Sequence, residues 1–281
     1  KKEKIKNQQQ FNIKLNPTTF NSVGIELEGI PTIPKTLGKS DSEQKVAQII
    51  KSFTQENEVI LDNPEQKAVL DSIIQEIPEF TAVIGKKQHN THQYSIDIHT
   101  LRNLQNNLSG YRFKGLDEDS QTVIKYATIL HDLGKCFLGD FKPDSGHAKL
   151  STEIAKPILE RFDLKPEVKK RILKHIENHH WFEHYNKGKT SAQDVINLFG
   201  NKQDIAIAEI MAKSDLQNVS DNFHYKCMGI SKTDYAEPYK KYSEVMQNQF
   251  SRIDDIVNEQ IAKEKGLVRM EGKEYVVQDG D

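Results

Sequence analysis

From residue 94 onward the chain repeats its apolar residues every three to four positions, the period of a helix buried on one face. The pattern predicts helices over 95–108, 118–134, 147–163, 166–180, 191–199 and 202–218, then a long polar helix over about 237–264. Breakers separate them: "GYRFKG", "GDFKPDSG", "DLKP", "NKGKTS" and "GNK". Pro157 lies inside the predicted helix 147–163 and is expected to kink or interrupt it.

The pattern before residue 94 is weaker. Residues 1–40 hold only short apolar pieces between Pro17, Gly24, Gly29, Pro31, Pro34 and Gly38, which predicts extended or loosely ordered chain. A helical pattern opens at Ser40 or Asp41 and runs through Val46, Ile49, Ile50 and Phe53. Asn63 as cap and Pro64 at the first position announce another helix, through Val69, Leu70, Ile73 and Ile74, which Pro78 ends. The last stretch, "LVRMEGKEYVV", alternates around Gly272 and predicts a small hairpin. The fold class expected is therefore all-α, a helical bundle with short extended or hairpin appendages at its termini.

Composition narrows the functional classes. The 281 residues suffice for a full core. A net charge of −2 with 28% charged residues offers no global basic face, so nucleic acid is not indicated as a partner. Two cysteines, Cys136 and Cys227, cannot build a disulfide framework, and a reducing, cytoplasmic location is expected. There is no signal-peptide pattern and no apolar run of membrane-spanning length. A start at Lys1 without methionine is read as an excised or processed piece, which leaves room for neighbouring domains of a longer chain.

Metal-ligating residue types recur at the predicted helix ends. His99 lies in "YSIDIHTLRNL", and His131 with Asp132 ends helix 118–134 in "ILHDLGKCF". His147 opens "GHAKLSTEIA", His179 and His180 close "KHIENHHWF", and Asp215 sits in the apolar "EIMAKSDLQN". Singly, each has a plain reading as a hydrogen-bonded core histidine or a helix-end charge. Together, short-looped helices can bring such ends into one layer of a bundle. Neutral imidazoles suit Fe, Mn, Zn, Co or Ni, and a carboxylate can bridge two ions. Asp132, adjacent to His131, is placed to reach a second ion, and Lys135 just beyond is a cation for an anionic substrate. Cys136 reads as a small buried hydrophobe. Trp181, Phe182 and Tyr185 either stack on a nucleobase or cover the end of the bundle. His89, His184 and His224 read as surface residues, and "KPEVKKRILKH" as a solvated face.

The order His … His-Asp … Asp with "HDLGK" resembles the HD superfamily of metal-dependent phosphohydrolases. His147 and His179-His180 extend it to the order of members that hold two metals. Locally, "HQYSIDIHTL", "LHDLGK", "GHAKLSTEIA", "IENHHW" and "AKSD" are similar to the HD modules attached to bacterial nucleotidyltransferases. The double histidine is shared with the HD-GYP group, but "HHWFEHYNKG" has no Gly-Tyr-Pro, which argues against cyclic di-GMP. The resemblance divides the chain into an N-terminal segment 1–40, a helical extension 41–87, an HD domain 88–220 and a C-terminal helix with hairpin 221–281.

The resemblance implies a first metal site of His99, His131, Asp132 and Asp215. It implies a second of His147 with His179 or His180, bridged by Asp132, His180 serving as ligand or phosphate contact. Asp132 and Lys135 would carry catalysis, and Lys135, His180, His92 and Trp181 would meet substrate. The cofactor implied is one or two divalent ions, drawn from Fe, Mn, Co, Ni, Zn or Mg. The implied activity is hydrolysis of a phosphorylated small molecule, a nucleotide or related phosphomonoester or phosphodiester. Two alternatives share the ligand order: a di-iron oxygenase on the same fold, and a non-catalytic nucleotide-sensing or protein-interaction module.

Overall fold

In the computed structural model the described residues are 64–89, 91–137, 146–219 and 238–265. Those with assigned secondary structure are helical, apart from one isolated antiparallel bridge between His92 and Val219. The helices are α1 (Pro64–Glu76), α2 (Ile96–Ser109), α3 (Tyr111–Lys114), α4 (Glu118–Leu130), α5 (His147–Glu160), α6 (Pro166–Glu177), α7 (Trp181–Asn186), α8 (Ala192–Phe199), α9 (Lys202–Gln217) and α10 (Pro238–Glu264). Short 3-10 turns at Pro78–Val83 and Leu133–Phe137 complete them. The expected N-terminal segment, the helix from residue 41, the Asn63 cap, the terminal hairpin, His224 and Cys227 lie outside the described residues.

Local chemistry sets several boundaries. Asp117 starts α4 by accepting the Ser120 backbone N–H at 2.7 Å. Ser191 and Asp194 form a reciprocal capping box on α8, and Asn201 caps α9 through the Asp204 N–H. Gly200, at φ 83°, ends α8 in the left-handed region that favours glycine. Helix α5 runs without interruption through Pro157, which differs from the expected break. The carbonyl that Pro157 leaves unpaired belongs to Glu153, an exposed residue. The short helices α3 and α7 fall where the pattern predicts a loop and a helix end.

Two apolar clusters hold the bundle. The first gathers Leu70, Ile73, Phe80, Leu104, Ile124, Leu130, Leu159 and Ile172 from α1, the Pro78–Val83 turn, α2, α4, α5 and α6. The second gathers Trp181, Phe182, Phe199, Leu216, Phe250 and Ile253 from α7 to α10. Helix α9 serves both, with Ile207 and Met211 in the first and Ile205, Ala208 and Ala212 in the second. It packs on both clusters and leaves only Lys202, Lys213 and Gln217 exposed, so it acts as the central post. Met246, Phe250 and Ile253 of α10 are each at most 1% exposed. Burying each contributes about 1.5–3 kcal/mol, which fastens this long polar helix to the bundle. The cores therefore run across residues 87 and 220, and α1 and α10 pack as parts of one body with the helices between. No described helix is long and apolar enough to cross a membrane.

The basic stretch on α6 departs from the sequence reading. Arg171 Nε and Lys174 Nζ donate to the buried Asp204 at 2.7 and 2.8 Å, and His175 lies 3.4 Å from it. Part of the expected solvated face is thus a half-buried clamp on Asp204 that joins α6 to α9.

Candidate metal centre

The site forms where the ends of α4, α6 and α9 meet the starts of α2 and α5. Helix α4 ends at Leu130, so His131 and Asp132 lie in the turn that leads into the 3-10 segment. Gly134 explains why that turn sits so close to α5. Its N–H donates to Ser151 Oγ at 2.8 Å, and a Cβ there would lie 2.3 Å from the His147 carbonyl oxygen. Only glycine admits this approach, which sets Asp132 and Lys135 against His147.

Two groups of ligand atoms result: His99, His131 and Asp215, and His147, His179 and His180. His99 Nε2 is 2.7 Å from Asp215 Oδ1, and His131 Nε2 is 3.7 Å from it. His147 Nε2 is 3.0 Å from His179 Nε2. Asp132 lies between the groups. Its Oδ2 is 3.4 Å from His131 Nε2 and 3.7 Å from His99 Nε2, while its Oδ1 is 3.0 Å from His147 Nε2 and 3.9 Å from His179 Nε2. One carboxylate thus presents a separate oxygen to each group.

Hydrogen bonds choose the tautomers. The Nδ1 atoms of His131 and His179 each lie 2.7 Å from a backbone carbonyl, of Thr128 and Ile176. A carbonyl only accepts, so Nδ1 carries the proton and Nε2 turns a lone pair to the centre. Burial alone would lower His131, but the Asp132 and Asp215 carboxylates outweigh it and raise its pKa. Burial would likewise raise both aspartates, yet His131 with Lys135 holds Asp132, and His131 with His99 holds Asp215, well below the usual range. Burial and cationic neighbours push His179 down to about 3, and burial with His179 and His147 lowers His180 strongly. The centre is built of two ionised carboxylates set among buried imidazoles.

The donor set fits divalent ions. His131 Nε2 and Asp132 Oδ1 are buried without a hydrogen-bond partner. Leaving such atoms unsatisfied costs about 1–3 kcal/mol each, and more for a charge. Ligand-atom separations of 2.7–3.9 Å suit atoms that share an ion at roughly 2.0–2.2 Å. His99, His131, Asp132 and Asp215 would hold one ion, and Asp132, His147, His179 and His180 another.

The remaining expected residues fall around this centre. Lys135 Nζ donates to Asp132 Oδ2 at 2.7 Å and to Gln88 Oε1 at 2.8 Å. The His92 ring meets that of His99 edge-on at 5.5 Å, and burial and Lys135 lower its pKa well below 6.5. Trp181 packs differently from a stacking platform. It is 5% exposed, its indole N–H donates to the Ala208 carbonyl at 3.2 Å, and it stacks against Tyr185 and Phe250. Of the two sequence readings, this packing supports cover for the end of the bundle. Cys136 is buried, and burial pushes its thiol up to about 12.

Sequence reasoning missed the residues that brace the ligands. Asn103 Nδ2 contacts His99 Nε2 at 3.1 Å and donates to Asp215 Oδ1 at 3.2 Å. Its own Oδ1 accepts from Asn218 at 2.6 Å and from Ser214 at 3.3 Å. Asn103 lies four residues after His99, on the same helix face, so the i, i+4 spacing carried the signal. Gln88 left none, because it reaches Lys135 from a loop.

Residues 98–215 match the family model described as HD domain. This stretch of the chain is an HD domain, the unit that defines a superfamily of metal-dependent phosphohydrolases. Neither the curated proteins nor the solved structures contain a match to the chain.

Proposed function

We propose that the chain is a two-metal phosphohydrolase that cleaves a nucleotide or a related phosphomonoester or phosphodiester with a metal-activated water. The observation that carries this reading is Asp132, which offers one carboxylate oxygen to each histidine group. Divalent ions bound there would supply a water ionisable near pH 7 and positive charge for the phosphoryl oxygens.

The chain's own groups do the rest. Asp132 and Asp215 stay ionised and neutralise much of the ions' charge. His131 and His179 are held as Nε2 ligands by the Thr128 and Ile176 carbonyls. Lys135, 11% exposed along its side chain, stands at the edge of the centre and donates to a non-bridging phosphoryl oxygen as charge develops. Gln88 orients its ammonium group. His92, kept neutral by burial, gives a second polar contact for the phosphoryl group.

Two measurements test the reading. Elemental analysis of protein purified without chelator should find two divalent ions per chain. A panel of nucleotides and phosphodiesters assayed with Mn²⁺, Fe²⁺, Co²⁺, Ni²⁺ and Mg²⁺ should show turnover that chelation abolishes. Metal-loaded protein that hydrolyses none of them with any ion would overturn it.

A further inference from the structure

A cleft of about 510 Å³ opens beside His180, between the start of α5, the end of α6, and helices α7 and α8. It falls within the usual size of small-molecule sites, roughly 300–1,000 Å³. His180 belongs both to its lining and to the second histidine group, so the cleft and the candidate metal centre share a wall.

The lining is mixed. Trp181, Val195 and Leu198 form an apolar side, and Leu198 is among the exposed large hydrophobics at 39%. Asn178 and Thr190 add hydrogen-bonding groups, and the Thr190 hydroxyl oxygen is buried without a partner. The charged lining comprises two carboxylates, Glu177 and Asp194, and one ammonium group, Lys149, with the imidazole of His184 beside them, all exposed. The Ser191 backbone N–H holds Asp194 below the usual carboxylate range, so it carries its charge at neutral pH. An excess of negative charge repels a second phosphate, whereas an apolar side and an unpaired hydroxyl receive a neutral ring that hydrogen-bonds.

We propose that this cleft is the subsite for the organic, leaving-group part of the phosphoester, and that it selects a flat, uncharged, hydrogen-bonding group such as a nucleoside over a chain of further phosphates. The proposal rests on the phosphohydrolase reading, with the phosphoryl group at the centre and the alcohol directed past His180.

Trp181 supplies a direct readout, since it lines the cleft and is the only tryptophan of the chain. Titrating the full chain with nucleoside monophosphates should change Trp181 emission saturably for at least one base. The matching triphosphate should bind about tenfold more weakly or worse, and inorganic phosphate should leave the emission unchanged. Leu198→Asp, at an exposed position, should weaken the monophosphate about tenfold, and the milder Thr190→Val a few-fold. Glu177→Lys, also exposed, should narrow the gap between monophosphate and triphosphate. Emission that no nucleoside monophosphate alters at millimolar concentration would overturn the proposal. So would tighter binding of the triphosphate, or an affinity that Leu198→Asp leaves untouched. Hydrolysis of bis-p-nitrophenyl phosphate without nucleotide binding would sink the cleft alone. Nucleotide binding seen by Trp181, with no ester cleaved under any metal, would instead sink the phosphohydrolase reading.

Discussion

Among the described residues, histidines are buried beside aspartates in two places, and the two clusters are opposites. At Asp204, Arg171, Lys174 and Asn201 all donate to the carboxylate, whose oxygens lie at 1% exposure. Nearby, His175 stacks on Phe199 with ring centroids 5.2 Å apart. Cations and donors pair both oxygens of that carboxylate, while His175 Nε2 has no hydrogen-bond partner. Around Asp132 and Asp215 the histidines of two groups share two carboxylates, with Lys135 on Asp132 and Asn103 on Asp215, and His131 Nε2 and Asp132 Oδ1 stay unpaired. Residue types alone do not separate a clamp from a ligand set, and an unpaired imidazole nitrogen occurs in both; of the two clusters, only that at Asp132 leaves a carboxylate oxygen without a donor. Glu209 stands between them, buried, with Arg112 on Oε2 and no partner on Oε1.

Breaking the comparison at its centre gives the largest effect. Asp132→Ala should remove the carboxylate common to both groups, lower the metal content below two per chain and cut turnover by about 10³-fold, some 4 kcal/mol in barrier. Elemental analysis and steady-state kinetics check it. Unchanged stoichiometry would show that the groups do not share this residue.

The counterpart is Asp204→Ala. It leaves Arg171 and Lys174 without their carboxylate and should cost about 3 kcal/mol in urea unfolding, at the low end for a buried pair because both cations are partly exposed. Metal content should not change. A loss of metal with little loss of stability would reverse the roles assigned to the two clusters.

Glu209 sharpens the series through pH. Burial raises its carboxyl to about 7 against the Arg112 charge, so the folded state holds a proton that the unfolded chain releases near 4.5. Stability from this group is fully present below about pH 4.5 and falls as pH rises to 7, by about 3 kcal/mol. Asp204 has the opposite slope. Its pKa is depressed, burial being outweighed by His175, Lys174 and Arg171, so its contribution is present above about pH 4 and is lost on acidification. Glu209→Gln should flatten the profile between pH 5 and 7 and leave the acid limb alone, as thermal melts across that range will register.

The smallest expected effect is at Asn103→Ala. Asn103 touches His99 and Asp215 without lying among the ligand atoms, so metal affinity should drop about 10- to 100-fold with stoichiometry retained. Metal titration in a competing chelator resolves this from loss of a site, and Asn103→Asp, which keeps shape but not the donor, should not rescue it.

Much of this was legible in the one-dimensional pattern. Periodicity placed α2, α4, α5, α6, α8, α9 and α10 within a few residues at either end, because an amphipathic helix writes its buried face into its spacing. The recurrence of His and Asp at helix ends pointed to residues that the fold then brings together. What stayed hidden depended on contacts between distant segments. The clamp on Asp204 joins α6 to α9 across 33 residues, and Gln88 meets Lys135 across 47. A basic run reads as solvated until the opposing carboxylate is in place, and the sequence leaves open whether Trp181 meets a base or covers the bundle end until α10 packs on it.

By itself, then, the sequence determined the helices, the chemical types near their ends and the glycine in "HDLGK" that lets the Asp132 turn press against α5. These follow from local spacing and from atoms a residue does or does not carry. Only the tertiary structure decided how near Asp132 stands to each histidine group, that Asp204 is closed by cations, and where a cleft remains beside His180. Those outcomes depend on distances of a few ångströms between segments far apart in the chain, and only packing sets such distances.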